Sequence, residues 1–129
     1  MLPLIDQEYL QSRSPNNTVS IEADTICVVL PDFPLPSGFT VRKSDLLLRL
    51  SPGYPDVPPD MWWFQPALCR NDNQPIPATD TQEVHLGKTW QRWSRHLRPE
   101  QWRSGTDSLE SYLSLVRREL DAAARHIAA

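Results

Sequence analysis

The sequence predicts an α+β fold in one domain spanning residues 1–129, with a small antiparallel sheet and a C-terminal helix packed on it. Three features carry that expectation. Four runs with strand character, at residues 18–22, 25–30, 45–50 and 61–64, follow one another through connections without helical pattern. From Leu109, the apolar residues Tyr112, Leu113, Val116, Leu120 and Ile127 recur at helical spacing. Thirteen prolines, concentrated between residues 31 and 77, impose stiff turns and edge segments there.

Residues 4–12, with Leu4, Ile5, Tyr9 and Leu10 as the apolar set, suit a short amphipathic helix ended by Ser14-Pro15-Asn16. Val19 and Ile21 alternate with polar neighbours, as in a half-buried strand. Ala23-Asp24 turns the chain into Ile26-Cys27-Val28-Val29, which places Cys27 in the core. The prolines at 31, 34 and 36 remove ladder donors, so an irregular excursion is expected from Pro31 to Gly38. Residues 65–87 hold few large apolar side chains and predict a long loop, a kind of segment that often carries function. Asp107 with Glu110 fits a capping box for the last helix, and Thr106 competes for the cap. Trp90, Trp93 and Trp102 suit the space between sheet and helix, while Arg117, Arg118 and Arg125 mark its solvent side.

Composition excludes several classes of function. At 40% hydrophobic and 22% charged residues, the chain is globular rather than disordered. A net charge of −3 argues against general nucleic-acid binding, which needs a positive excess. No run is long and apolar enough for a membrane span, and the N-terminus lacks the pattern of a signal peptide. Two cysteines without ligand spacing imply neither a disulfide framework nor a metal site. A cytoplasmic protein without metal or cofactor is expected.

The central stretch reads Asp45-Leu-Leu-Leu-Arg-Leu-Ser-Pro-Gly-Tyr54-Pro55-Asp-Val-Pro58-Pro59-Asp-Met-Trp-Trp-Phe64. A strand, Tyr-Pro, Pro-Pro two residues later and a second strand resemble the pattern of ubiquitin-conjugating enzymes. Phe33-Pro-Leu-Pro, Pro52-Gly-Tyr-Pro-Asp, Pro58-Pro-Asp-Met-Trp-Trp and Trp90-Gln-Arg-Trp-Ser-Arg-His are similar to the divergent bacterial branch, prokaryotic family E. The resemblance covers nearly the whole chain. It implies a UBC-like fold: a short N-terminal helix, a four-stranded antiparallel meander, a proline turn packed by its tyrosine, a long active-site loop and a C-terminal helix. It also implies partners, namely a ubiquitin-like protein, an adenylating activating enzyme, and a metalloprotease-type deconjugating enzyme in the same pathway.

Enzymes of this kind carry the ubiquitin-like C-terminus as a thioester on a cysteine, since thiolate is both a strong nucleophile and a good leaving group. An asparagine in an upstream His-Pro-Asn motif stabilises the oxyanion. Counted from Pro59, Cys69-Arg70-Asn71 falls where His-Pro-Asn would sit, and the usual cysteine position falls at or near Thr79, in Pro77-Ala-Thr-Asp-Thr81. Three alternatives therefore stand: Cys69 carries the acyl group with Asn71 as donor and Arg70 favouring the thiolate, Thr79 carries an oxyester, or the chain has no nucleophile. A turn at Thr79-Asp80-Thr81 and a small buried apolar role for Cys69 are the structural readings of the same residues.

Residues 87–98 concentrate basic side chains. Arg92 and Arg95 are candidates to receive an acidic partner surface, and His96 a candidate base or positioning group; solvated cover over the tryptophans is the competing reading. His85 has nothing specific around it and is expected at the surface. The expected function is transfer of a ubiquitin-like protein from its activating enzyme to an amine on a target. The alternative is a catalytically inactive module that binds the ubiquitin-like protein or its activating enzyme non-covalently, and a peptide-binding scaffold is a third reading.

Overall fold

A computed structural model describes residues 2–125. Helix α1 (Leu4–Arg13) begins after Pro3, whose carbonyl accepts the Asp6 and Gln7 N–H groups. It stops at Ser14, because Pro15 disfavours helical geometry in the residue before it. Strands β1 (Thr18–Glu22) and β2 (Thr25–Pro34) form a hairpin closed by Ala23 and Asp24, both at positive φ, as a twist-matching two-residue turn requires. Strands β3 (Lys43–Leu50) and β4 (Trp62–Gln65) continue the antiparallel order.

Strand β2 corrects the expectation of an excursion beginning at Pro31. It runs on to Pro34 through a bulge, with Leu30 opposite Leu46 and Phe33 opposite Ser44. One extra residue is absorbed there. Pro31 sits where no ladder donor is needed, Asp32 takes a φ of 55°, and its N–H donates to Asp45 Oδ1 at 2.9 Å.

The four-strand expectation is also corrected. The sheet has six antiparallel strands in the order β1-β2-β3-β4-β6-β5, because β5 (Gln82–His85) and β6 (Lys88–Trp93) form a second hairpin. The expected loop at 65–87 therefore ends before Gln82. Leu86 and Gly87, at φ 54° and 74°, make its two-residue turn. The hairpin was hidden because β5 offers only one large aliphatic side chain, Val84, and that one faces solvent. The sheet curls enough for the Leu86 N–H to donate to Glu22 Oε2, at the end of β1. One face packs on α1 and α2, while the other holds a smaller core of Cys27, Leu47, Trp63 and Trp90.

Helix α2 (Leu109–Arg125) buries Leu109, Tyr112, Leu113, Val116, Leu120 and Ala123, one face at helical spacing. Ile127, also expected on that face, lies outside the described residues. The expected capping box is not formed. Asp107 instead accepts the Arg103 N–H, Ser108 donates its N–H to Ser111 Oγ, and the Leu109 N–H is satisfied from another element by Asp6 Oδ1 at 3.0 Å. The second Asp6 oxygen accepts the Tyr54 hydroxyl at 2.7 Å. The proline turn is thus packed by its tyrosine, with the Trp102 ring 6.0 Å from Tyr54 and its indole N–H on the Pro55 carbonyl.

Burial pushes the Tyr54 phenol well above its ordinary value, and the bond to Asp6 adds to the shift. Burial does the same at Tyr112, whose hydroxyl donates to the Met61 carbonyl at 2.8 Å. Above about pH 10 the unfolded chain ionises these phenols while the folded chain keeps them protonated. Stability is therefore expected to be full below that point and to fall as pH rises past it. Urea midpoints followed from about pH 8 to 11 should show the decline, shallower in Tyr112→Phe. An equally steep decline in that variant would contradict the assignment to Tyr112.

Candidate functional site

Beyond β4 the chain enters the segment that holds the first candidate nucleophile. Ser44 Oγ donates to the Pro66 carbonyl at 2.7 Å, and Leu68 is buried. The Leu68 backbone is gripped by Gln91, a β6 side chain only 8% exposed. The Leu68 N–H donates to Gln91 Oε1 at 2.8 Å, and Gln91 Nε2 donates to the Leu68 carbonyl at 3.1 Å. The Trp93 indole N–H donates to the same Oε1 at 3.0 Å, so both the oxygen and the nitrogen of the amide are engaged.

Residues 69–71 are then pinned along residues 38–40. The Thr40 N–H donates to the Cys69 carbonyl at 2.8 Å, Phe39 bridges Arg70, and the Asn71 N–H donates to the Gly38 carbonyl at 2.9 Å. Gly38 has to be glycine. Its φ is +117°, and an added Cβ would stand 3.0 Å from the Ala124 Cβ on α2. The result is a fixed backbone that presents Cys69, a free thiol, to solvent.

Arg70 is turned inward. Its Nε and Nη2 bond the two Asp72 oxygens at 2.9 and 2.6 Å, and Nη1 donates to the Ala123 carbonyl. That pairing, with help from the Gln74 N–H, holds the Asp72 carboxyl well below the usual carboxylate range. The guanidinium therefore anchors the segment to the end of α2 and spends its donors there.

Thr79 and Cys69 border one cleft of about 250 Å³, together with Leu68, Ile76, Asn73 and Gln74. The structure brings the two candidates into one depression, but their groups differ in availability. Thr79 is 8% exposed and its hydroxyl donates to the Ile76 carbonyl at 2.8 Å, the local bond of a turn. Asn71 is exposed beside Cys69 and does not line the cleft.

The remaining candidates lie elsewhere. His96 is exposed, with Nδ1 2.7 Å from Asp60 Oδ1; Asp60 precedes β4 and Cys69 follows it, so that strand separates the two. Arg92 donates to Glu83 Oε2 at 2.8 Å and to Ser94 Oγ at 3.1 Å. Arg95 donates to Glu119 Oε1 at 3.0 Å and to the Pro77 carbonyl at 2.9 Å, with its guanidinium 4.9 Å over the Trp93 ring. Both arginines already have acidic partners within the chain. His85, expected at the surface, has a side chain only 11% exposed. It stands between Glu83 at 2.9 Å and Glu22 at 3.7 Å, edge-on to Trp63. Burial alone would raise the Glu83 carboxyl, but bonds from His85, Trp63 and Arg92 hold it below its ordinary range.

Gln91 is the residue that sequence reasoning passed over. Once residues 88–93 are read as a strand, period-two alternation puts Gln91 and Trp93 on the same inner face, and an amide buried there must find partners.

Among the described residues there is no group of acids, histidines and cysteines arranged to hold a metal ion, and no helix long and apolar enough to cross a membrane. A family model described as prokaryotic E2 family E matches residues 2–123. No curated protein and no solved structure matches the chain.

Proposed function

The chain belongs to prokaryotic E2 family E, and from that membership we propose that it carries a ubiquitin-like protein as a thioester on Cys69. The observation that carries this choice is the contrast within one cleft. Cys69 offers an exposed thiol on a pinned backbone, whereas the Thr79 hydroxyl is buried and bonded to Ile76. In the reaction, the thiolate attacks the acyl group held by the activating enzyme. The new C–S bond forms as the bond to the enzyme's leaving group breaks, and the thiol proton passes to solvent. An amine on the target then displaces the Cys69 thiolate.

A non-covalent role is the second reading, favoured by one feature. Arg70 is committed to Asp72 and Ala123, and His96 lies beyond the far end of β4, so neither assists the thiol directly. The test is incubation with the cognate activating enzyme, ATP and the ubiquitin-like protein, followed by electrophoresis without reductant. A reductant-labile adduct is expected, absent in Cys69→Ala, stabilised as an oxyester in Cys69→Ser, and unchanged in Thr79→Ala. A reductant-resistant adduct that survives Cys69→Ala and is lost in Thr79→Ala would move the chemistry to the hydroxyl. Binding of the ubiquitin-like protein with no adduct would establish the non-covalent role.

A further inference from the structure

The bulge of β2 builds a wall beside the two helices. Asp32, at a left-handed φ, lifts Pro31 and Asp32 out of register, and a cleft of about 260 Å³ opens between this wall, the end of α1 and the middle of α2. Its floor is apolar, made by Leu30, Phe33 and Leu113, each at most 4% exposed. Its rim is cationic. Arg13, in the last turn of α1, and Arg117 of α2 both border it and both are exposed. Arg117 is held 5.3 Å over the Phe33 ring, which aims a cation across the apolar floor. Neither arginine has a carboxylate partner among the described residues, in contrast to Arg49, Arg70, Arg92, Arg95 and Arg98. The one acid on the rim, Asp32, faces Lys43 at 3.8 Å.

We propose that this cleft docks an acidic, apolar segment of a partner protein, with a carboxylate on Arg13 and Arg117 and an adjacent aliphatic or aromatic side chain against the accessible apolar lining of Tyr9, Pro31 and Pro34. Three observations select that occupant. The volume is below the roughly 300–1,000 Å³ of small-molecule pockets, and suits one side chain with its neighbouring acid. Pro31 and Pro34 carry no N–H, so an incoming segment is read by charge and side chain rather than by strand addition. A net charge of −3 disfavours a second copy of this chain, while Arg13 and Arg117, without carboxylate partners among the described residues, give this cleft a local field of the opposite sign. The inference stands independently of the thiol chemistry.

The test uses the full chain, isotope-labelled, titrated with the peptide acetyl-Phe-Asp-Leu-Asp-amide and followed by amide shifts. Saturable shifts at Tyr9, Phe33 and Leu113 are expected. The neutral peptide acetyl-Phe-Asn-Leu-Asn-amide should bind about tenfold more weakly or worse. Arg13→Gln with Arg117→Gln should remove the difference between the peptides, and the paired lysine substitutions should retain part of it. Equal binding of the two peptides, shifts centred on another surface, or no saturable shift would overturn the proposal. So would concentration-dependent shifts of the same amides without peptide, which would make the occupant a second copy.

Discussion

Asp6→Ala is expected to destabilise the fold by roughly 2–5 kcal/mol, a large share of a small domain's stability. The carboxylate is 1% exposed and carries two bonds, from the Tyr54 hydroxyl and from the Leu109 N–H. Those bonds join three elements far apart in sequence: α1, the proline turn and the first turn of α2. Alanine leaves a phenol and a helix-terminal N–H without partners in a site closed to water, and each orphan costs about 1–3 kcal/mol. Asp6→Asn keeps one acceptor for Leu109 and should lose less. Tyr54→Phe should destabilise as well, since it takes one partner from a buried carboxylate. Because the two side chains share one bond, the double variant should depart from additivity by roughly 0.5–3 kcal/mol. Urea denaturation of the four proteins gives the cycle. Asp6→Ala within about 0.5 kcal/mol of the parent would refute the role assigned to the carboxylate.

The Asp6 junction also shows how far the sequence was legible. Tyr54-Pro55 and Pro58-Pro59 identified the turn, and its tyrosine packs as the resemblance implied. The apolar spacing from Leu109 placed α2, and the first four strands came from their aliphatic residues or, in β4, from Trp62, Trp63 and Phe64. The expected cap fails for a physical reason: a local motif, Asp107 with Glu110, competes with the Asp6 carboxylate, 103 residues before Leu109, and only the folded chain reveals that second partner. The same cause hid β5 and β6. β6 pairs with β4 and β5 pairs only with β6 at the sheet edge, so β5 forms through a neighbour that its own residues do not announce, and Val84 points outward. At the site, residue chemistry named Cys69 and Thr79, but not which group is free. That depends on the Ile76 carbonyl for the threonine and on backbone pairing with residues 38–40 for the cysteine. The prolines after Leu30 predict an irregular excursion because they exclude ladder bonds, although a bulge removes the need for them.

Gln91→Leu should have the second large effect, and it reaches the proposed chemistry. The amide holds three groups: both backbone groups of Leu68 and the Trp93 indole N–H. A leucine of similar volume fills the space and satisfies none of them, so a loss of roughly 3–5 kcal/mol is expected. The loss should be local before it is global, because residues 69–71 keep their bonds to residues 38–40 while the chain just before Cys69 is released. Amide exchange at Leu68 should therefore accelerate at urea concentrations where α2 remains protected. If Cys69 carries the acyl group, its adduct should form about 10- to 100-fold more slowly, since small displacements of a reacting atom are that costly. Gln91→Glu keeps the acceptor for Leu68 and Trp93 and should recover part of both effects. Slow adduct formation with unchanged Leu68 exchange would mean that Gln91 acts otherwise than through this backbone. Fast exchange with adduct formation at the parental rate would mean that the thiol does not depend on the clamp.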